Sequence, residues 1–393
     1  MGCTLAKQHG CAVYPSIRQA LHAGGSELGV DAVLVIAEHG DYPWNEKGRH
    51  MYPRRYFFEQ VAGVLAESGR SVPVFTDKHF SYSWADALWM WQRAEELSIP
   101  LMAGSCLPVG AWRRPFLEHP LELEHLSEAV AVGYGARGSF EAYGYHTLEA
   151  LSCMVERRRG GETGVVSVQT LEGDAVWAAR DAGRWSAEIA DAACNAIVGH
   201  PGGRWEEYVE NPAAVLVEYT DGFRATVLFV DGWAATWAYA ANVGGDGETP
   251  SRIEACEFFL QPGGNAASFS YQSRNIQRFF QTGVNTSVPP ARTLLTTGIV
   301  DAMMRSRWED HRIVSTPELS EISYSSFKEP PIRPTAEWPE GASLVRNAPD
   351  LILPWPEDDP AGKGGLTWEG YAGTWRERGA GFRSVQAAKA ARL

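Results

Sequence analysis

Three short apolar runs between residues 30 and 108 constrain the fold of this chain more than any other feature. They lie at 32–36, 72–75 and 100–104, and two amphipathic stretches of helical length separate them. Apolar runs of strand length that alternate with helices are typical of a parallel sheet covered by helices. Polar or glycine-containing residues follow each run, and loops at the carboxyl ends of such strands are where α/β sheets bind ligands. The pattern therefore predicts a parallel sheet with a ligand site at that edge.

The bulk properties of the chain exclude several classes of partner. The 393 residues carry a formal net charge of -13, which argues against binding to a nucleic-acid backbone. The six cysteines form no Cys-x-x-Cys pair, so we read them as reduced cytoplasmic thiols and not as disulfides or a zinc site. No apolar stretch has the length of a membrane span, and the N-terminus lacks a secretory pattern. We expect a cytoplasmic protein with no nucleic-acid or membrane partner.

The chain divides into three predicted regions. Residues 1–110 read as a partial parallel-sheet domain, which also includes a short strand near Ala12-Val13-Tyr14. Residues 111–327 read as strands followed by helices, with a hairpin at the Asp221-Gly222 turn, which predicts an α+β domain with a large, mostly antiparallel sheet. Residues 328–393 are rich in proline, glycine and charge and read as a tail.

Two groups of residues could carry chemistry. Lys78 follows the second apolar run, so it lies over the mouth of the sheet, where a lysine can hydrogen-bond a reacting hydroxyl. His146 and Glu149 are three residues apart and share one helical face, so the carboxylate could orient the imidazole for proton transfer. The alternatives are an ordinary surface lysine and a structural histidine at a helix start. The catalytic hypothesis requires that Lys78 and His146 converge.

These segments resemble the glucose–fructose oxidoreductase/inositol dehydrogenase family (Gfo/Idh/MocA) over about residues 5–316. The segment 30–36 is similar to that family's fourth strand, and His39 falls near the histidine that follows it. Asp77-Lys78-His79 stands in the place of the family's Glu-Lys-Pro signature. Gly144-x-His146-x-x-Glu149 is similar to its Gly-x-His-x-x-Asp motif. The resemblance implies a Rossmann domain followed by an α+β domain.

The resemblance also implies a function. It implies an NAD(P)-dependent oxidoreductase that acts on a sugar, cyclitol or related hydroxyl, in which Lys78 polarises the hydroxyl and His146 removes its proton. The other site residues are expectations of the same kind: the cofactor, NAD or NADP, contacts Glu38, His39, Asp77 and Lys78, and the small-molecule substrate contacts His79, Tyr143 and Glu149. We also expect a homo-oligomer formed through the open sheet, as in the family.

The start of the chain departs from the family. No Gly-x-Gly-x-x-Gly follows a first strand, and no acidic residue ends a second strand to hold the adenosine ribose. Those two strands are central in such a sheet, and several orphaned backbone groups at about 1–3 kcal/mol each would exceed a domain's stability. Either Met1 is internal to a longer natural chain, which we favour, or the sheet is rebuilt and the dinucleotide site is lost.

Two other hypotheses stay open. The chain could be a Gfo/Idh/MocA-like binding or assembly protein without redox chemistry, because the glycine-rich loop is absent and the signature is altered. It could also be a metal-dependent lyase or hydrolase, with His39, Asp41, Asp77 and His79 around a divalent ion. No motif fixes such a metal site, and we therefore assign no metal ligand.

Overall fold

A computed structural model describes residues 2–37, 40–114, 124–260, 266–327 and 333–334. The first part contains a three-stranded parallel sheet in the order β1-β2-β3, as the alternation of apolar runs and helices predicts. Its elements are α1 (Gly2–Gln8), α2 (Ile17–Leu21), β1 (Val33–Val35), α3 (Arg54–Ser68), β2 (Val74–Asp77), α4 (Trp84–Glu96) and β3 (Leu101–Gly104).

The core of this small sheet comes from the periodic apolar residues of α3 and α4. Phe58, Val61 and Leu65 recur at helical spacing and are buried against β2, every residue of which is buried. Helix α3 ends at Gly69, whose φ of 63° gives the left-handed cap that glycine adopts without strain.

The predicted strand near Ala12-Val13-Tyr14 is wrong. The segment pairs with no strand in the described part of the chain, and Val13 is 58% exposed. Three apolar residues without a partner strand leave their backbone groups unpaired, so propensity alone does not make a strand there. Within the described ranges, β1 pairs only with β2, and Leu34 on β1 is 52% exposed.

The second part is built on an eight-stranded sheet, which confirms the predicted large and mostly antiparallel sheet. Its order is β11-β6-β7-β8-β5-β9-β10-β4, and β5 with β8 is the parallel pair. Gly222 in the β7–β8 turn has a φ of 84°, as the Asp-Gly hairpin requires. The strands are β4 (Trp112–Arg114), β5 (Leu126–Gly133), β6 (Val165–Glu172), β7 (Ala213–Tyr219), β8 (Arg224–Phe229), β9 (Trp237–Val243), β10 (Arg252–Phe259) and β11 (Val314–Ser315).

Helices cover both faces of the large sheet. One face packs on α6 and α10, and the other packs on α8, where Ile189 and Trp185 meet Val130 and Val132. Helices α7 and α8, which lie between two strands, were not predicted from the sequence. These helices cover part of the large-sheet face through which we predict a homo-oligomer. The homo-oligomer itself stays a prediction. The helices are α5 (Leu107–Gly110), α6 (Phe140–Val155), α7 (Asp174–Asp181), α8 (Ala187–Asn195), α9 (Ala266–Thr282) and α10 (Pro290–Trp308).

Helix α10 links the two sheets. Leu294 lies in the core of the small sheet, and the Thr293 hydroxyl donates a hydrogen bond of 3.0 Å to the Ala103 carbonyl at the end of β3. The predicted boundary near residue 110 falls between β3 and β4, but as a domain division it stays a prediction. The tail predicted for 328–393 lies, apart from 333–334, outside the described residues. In the described ranges, no helix is long and apolar enough to cross a membrane.

Candidate active site

The carboxyl ends of β2 and β3 meet the middle of α6. Lys78 follows β2 directly, and its backbone N–H donates to the Gly104 carbonyl at 3.3 Å. Ser105 follows β3, and its backbone N–H donates to Oε1 of Glu149 on α6 at 2.9 Å. Gly104 allows this approach, because a Cβ there would lie 3.2 Å from the same oxygen. The predicted ligand edge of the small sheet therefore faces the helix that carries His146.

Lys78 is held in an unusual backbone conformation. Its φ of 54° lies in the left-handed region, which costs a residue other than glycine about 1 kcal/mol or more. Its Nζ lies 3.1 Å from Oδ2 of Asp77, the last residue of β2. Burial is the main influence on the neighbouring Cys106 thiol, and the charges of Glu149, Lys78 and Asp77 also act on it. Together with burial, the carboxylates raise the pKa of that thiol to about 12.

Ser105 connects His146 to Glu149. The Ser105 hydroxyl donates to Oε2 of Glu149, and Nδ1 of His146 lies 3.2 Å from the Ser105 oxygen and 3.4 Å from Oε2. The Tyr145 hydroxyl donates to Oε1 of Glu149 at 3.1 Å. Glu149 is 1% exposed, so it accepts these hydrogen bonds away from solvent.

The protonation of this group follows from its partners. Burial by itself raises the pKa of Glu149, but hydrogen bonds from His146 and Ser105 outweigh burial and hold the pKa below its usual value. Burial and the adjacent carboxylate raise the pKa of Tyr145 well above its usual value, so it remains a donor. An ionised Glu149 only accepts hydrogen bonds, so the Ser105 hydroxyl is the donor between the two. Nδ1 of His146 therefore faces two acceptors and carries the proton, which leaves the lone pair on Nε2.

His79, a predicted substrate contact, is buried among charged residues. Its side chain is 4% exposed, its ring nitrogens lie 3.1 and 3.3 Å from Arg54 Nη1, and Nε2 lies 3.6 Å from Oε1 of Glu141. Burial and the charge of Arg54 lower the pKa of His79 to about 4, so the ring is neutral at neutral pH. The ring is enclosed by these groups, and its predicted role as a substrate contact stays a prediction. We assign His79 to the attachment of the segment 40–55.

The remaining predicted residues fall in three places. Tyr143 is half-buried and stacks on Trp237, with ring centroids 6.0 Å apart, so it lines the site next to His146. Glu149 is buried behind Ser105 and positions His146; this differs from the predicted substrate contact. Glu38 and His39 lie outside the described residues. Among the residues that the structure does describe, no group of three His, Cys, Asp or Glu side chains could hold a metal ion.

Sequence reasoning missed Ser105, Tyr145 and Arg49 as functional residues. Ser105 did have a signal, since it is the polar residue at the end of a buried strand. Its partner Glu149 is 44 positions away, and no local pattern joins the two. Arg49 lies in a polar loop and is nevertheless 0% exposed, because its partners come from two distant helices.

The site offers groups that suit the nicotinamide of a dinucleotide better than its pyrophosphate. Lys78 and Asp77 at the end of β2 and His146 on α6 provide charged and hydrogen-bonding groups where a nicotinamide and a hydroxyl could meet. The segment between β1 and α3 contains only Gly40 and Gly48 and runs for more than a dozen residues, so it is not the short glycine-rich turn that cradles a pyrophosphate. The described residues of this connection therefore form no such turn; by the resemblance, that turn would follow the family's first strand, whereas β1 corresponds to its fourth.

The chain matches no protein-family model. It also matches no curated protein sequence. It is similar in structure to GenD2 from gentamicin A biosynthesis in complex with NAD, to a myo-inositol dehydrogenase from Corynebacterium glutamicum ATCC 13032, and to an oxidoreductase from Agrobacterium radiobacter in complex with NAD+, L-tartaric acid and magnesium. The identities are 15, 12 and 16%, and the TM-scores are 0.48, 0.45 and 0.47. The matches cover 80, 79 and 80% of this chain and 85, 86 and 87% of the others.

Proposed function

We propose that this protein is an oxidoreductase that oxidises a ring hydroxyl of a sugar, cyclitol or related polyol. The observation that carries the proposal is the Glu149–Ser105–His146 arrangement at the strand ends that also hold Lys78. In this arrangement Nε2 of His146 is available as a base, and the Lys78 ammonium lies at the same edge of the sheet. A base and a cation are the two groups that a hydroxyl needs in order to lose its proton.

In this proposal Lys78 donates a hydrogen bond to the hydroxyl oxygen and stabilises the negative charge that develops there. His146 takes the hydroxyl proton on Nε2, and the resulting imidazolium is stabilised by Glu149 through Nδ1 and Ser105. A bound nicotinamide, NAD or NADP, supplies the acceptor for the hydride. We place this reaction in the cytoplasm, since the cysteines of the described residues are free.

The test uses two variants with different expected failures. Lys78→Ala should abolish reduction of NAD+ or NADP+ in the presence of the polyol and leave the Kd for NADH within a few-fold. His146→Asn should remove the lower limb of the pH–rate profile, because the group that must be unprotonated is gone. Full turnover in Lys78→Ala, or an unchanged lower limb in His146→Asn, would refute the assigned roles.

A second candidate function is that of a binding or assembly protein without redox chemistry. It is favoured by one sequence observation: no Gly-x-Gly-x-x-Gly follows β1, β2 or β3 in the described part of the chain. Under this reading the intrinsic fluorescence of the tryptophans does not respond to NADH or NADPH, although the protein is folded. A saturable response to either nucleotide rules this candidate out.

A further inference from the structure

The segment 40–55 between β1 and α3 carries a compact group of aromatic rings, which we call the aromatic cluster: Tyr42, Trp44, His50 and Tyr52. Trp44 and His50 are stacked, with ring centroids 4.4 Å apart and planes 11° from parallel. His50 lies 4.2 Å from Tyr52, and Tyr52 lies 5.7 Å from Tyr42. Trp44 is 47% exposed, so a large apolar ring on this loop faces solvent.

The aromatic cluster sits on a loop that is fixed in place. Trp44 and His50 form an antiparallel backbone bridge, and the Asn45 side chain accepts hydrogen bonds from the backbone N–H groups of Lys47 and Arg49 at 3.0 and 2.9 Å. Arg49 is 0% exposed. It donates to Glu141 at 2.7 Å, to Asp301 at 2.8 Å and to the Ser81 carbonyl at 3.2 Å. A surface that is already ordered loses little conformational entropy when it binds a ligand.

The same loop is attached beside the candidate active site. The His50 backbone N–H donates to Oε2 of Glu141 at 2.9 Å, and Glu141 lies on α6, the helix that carries His146. At the other end of the loop, Arg54 contacts His79, the residue after Lys78, and its guanidinium lies 4.8 Å from the centre of the Tyr52 ring. The loop of the aromatic cluster is therefore attached to the helix that carries His146 and to the residue that follows Lys78.

We propose that Trp44 and its aromatic cluster form a subsite that stacks against the C–H face of a pyranose or cyclitol ring, whose hydroxyl is held by Lys78 and His146. This inference rests on the proposed function. Such a ring has hydroxyls at its rim and an apolar face of C–H groups, and an aromatic face with a negative quadrupole complements that apolar face. Small-molecule sites combine aromatic walls with a few placed polar groups, which is the combination found here.

The proposal predicts discrimination between cyclic and open-chain polyols. A cyclic polyol such as myo-inositol offers a flat C–H face to Trp44, whereas sorbitol, with the same number of carbons in an open chain, must be ordered first. Trp44→Ala should raise the KM or the Kd for the cyclic polyol about 3- to 10-fold, the loss that one aromatic contact of this kind represents. The kcat and the Kd for NADH should change less than twofold, since the reacting groups are untouched.

The experiment measures binding and turnover separately, so that it does not depend on the redox reaction. The binding of myo-inositol and of D-glucose is measured by calorimetry, and turnover by nicotinamide reduction, for the wild type, Trp44→Ala, Trp44→Phe and Lys78→Ala. Tyr56→Ala is the matched control, because Tyr56 is an aromatic residue of similar exposure, 56%, outside the aromatic cluster. Trp44→Phe should show an intermediate loss and Tyr56→Ala none.

Each outcome is decisive. The subsite is supported by weaker binding of the cyclic polyol in Trp44→Ala, with an intermediate loss in Trp44→Phe and none in Tyr56→Ala. It is supported even if neither the wild type nor any variant shows turnover, in which case only the proposed function fails. The subsite is refuted if the wild type binds neither cyclic polyol, if Trp44→Ala binds like the wild type, or if Trp44→Ala weakens NADH in place of the polyol. The last result would mean that Trp44 stacks on the nicotinamide.

Discussion

The buried ion pair between Arg49 and Glu141 should dominate the stability of the segment 40–55. Burial opposes ionisation of Glu141, but the charge and hydrogen bonds of Arg49, with help from His79, lower its pKa from about 4.5 to about 2. A shift of that size corresponds to about 3 kcal/mol of stabilisation of the ionised form. Arg49→Met leaves this carboxylate buried without its partner, which costs about 3–5 kcal/mol when a buried pair is broken. The stabilisation that corresponds to the pKa shift therefore agrees with the usual cost of breaking a buried ion pair.

The assay is urea unfolding at pH 7, followed by tryptophan fluorescence. Arg49→Met should lower the free energy of unfolding by about 3 kcal/mol, and adding Glu141→Gln should restore much of that loss, because it removes the unpaired charge. Arg18→Met is the matched control: Arg18 pairs with Glu67 at 2.5 Å, but both side chains are more than half exposed, so no measurable change is expected. The reasoning is refuted if Arg49→Met behaves like Arg18→Met, or if the double variant is no more stable than Arg49→Met.

Three further predictions follow from individual groups. The pKa of His79 is about 4 in the fold against an ordinary 6.5, so the unfolded chain binds the proton at a higher pH than the folded chain does. The free energy of unfolding should therefore fall by up to about 3 kcal/mol as the pH drops from 6.5 to 4. His79→Gln should flatten this part of the plot of unfolding free energy against pH, measured by urea unfolding. Lys78→Gly should be about 1 kcal/mol more stable than Lys78→Ala, because only alanine is strained at a φ of 54°; equal stabilities would contradict the backbone assignment. Among the cysteines of the described residues, exposed Cys11 should react quickly with a thiol reagent at pH 8. Cys106 is buried and its pKa is raised to about 12, so it should react only when the protein unfolds. Mass mapping of the labelled native protein measures both.

The fold was predictable where a local pattern was strong. The apolar runs at β1, β2 and β3 and the helical spacing of Phe58, Val61 and Leu65 required no knowledge of distant contacts. The strand near Val13 failed for the opposite reason: its residues favour a strand, but no strand in the described part of the chain pairs with them. Helices α7 and α8 were missed because no break in the chain marks them. Their apolar face, which includes Ile189, is recognised only from the sheet that it covers.

The candidate site was predictable only in part. The ends of buried strands pointed to Lys78, and helical spacing pointed to His146 with Glu149. The link between His146 and Glu149 through Ser105 depends on a contact across 44 residues, which one sequence does not reveal. The burial of His79 was equally hidden, since Arg54 and Glu141, which enclose it, come from separate parts of the chain.

The measurement that tests the central claim most directly is the initial rate of nicotinamide reduction, with NAD+ and then NADP+, by the wild type, Lys78→Ala and His146→Asn on a set of cyclic polyols. The account predicts turnover of at least one cyclic polyol by the wild type and its loss in both variants, with NADH binding retained. Turnover in both variants at the wild-type rate would contradict the assigned site. No turnover and no nucleotide binding by the folded wild type would contradict the oxidoreductase itself.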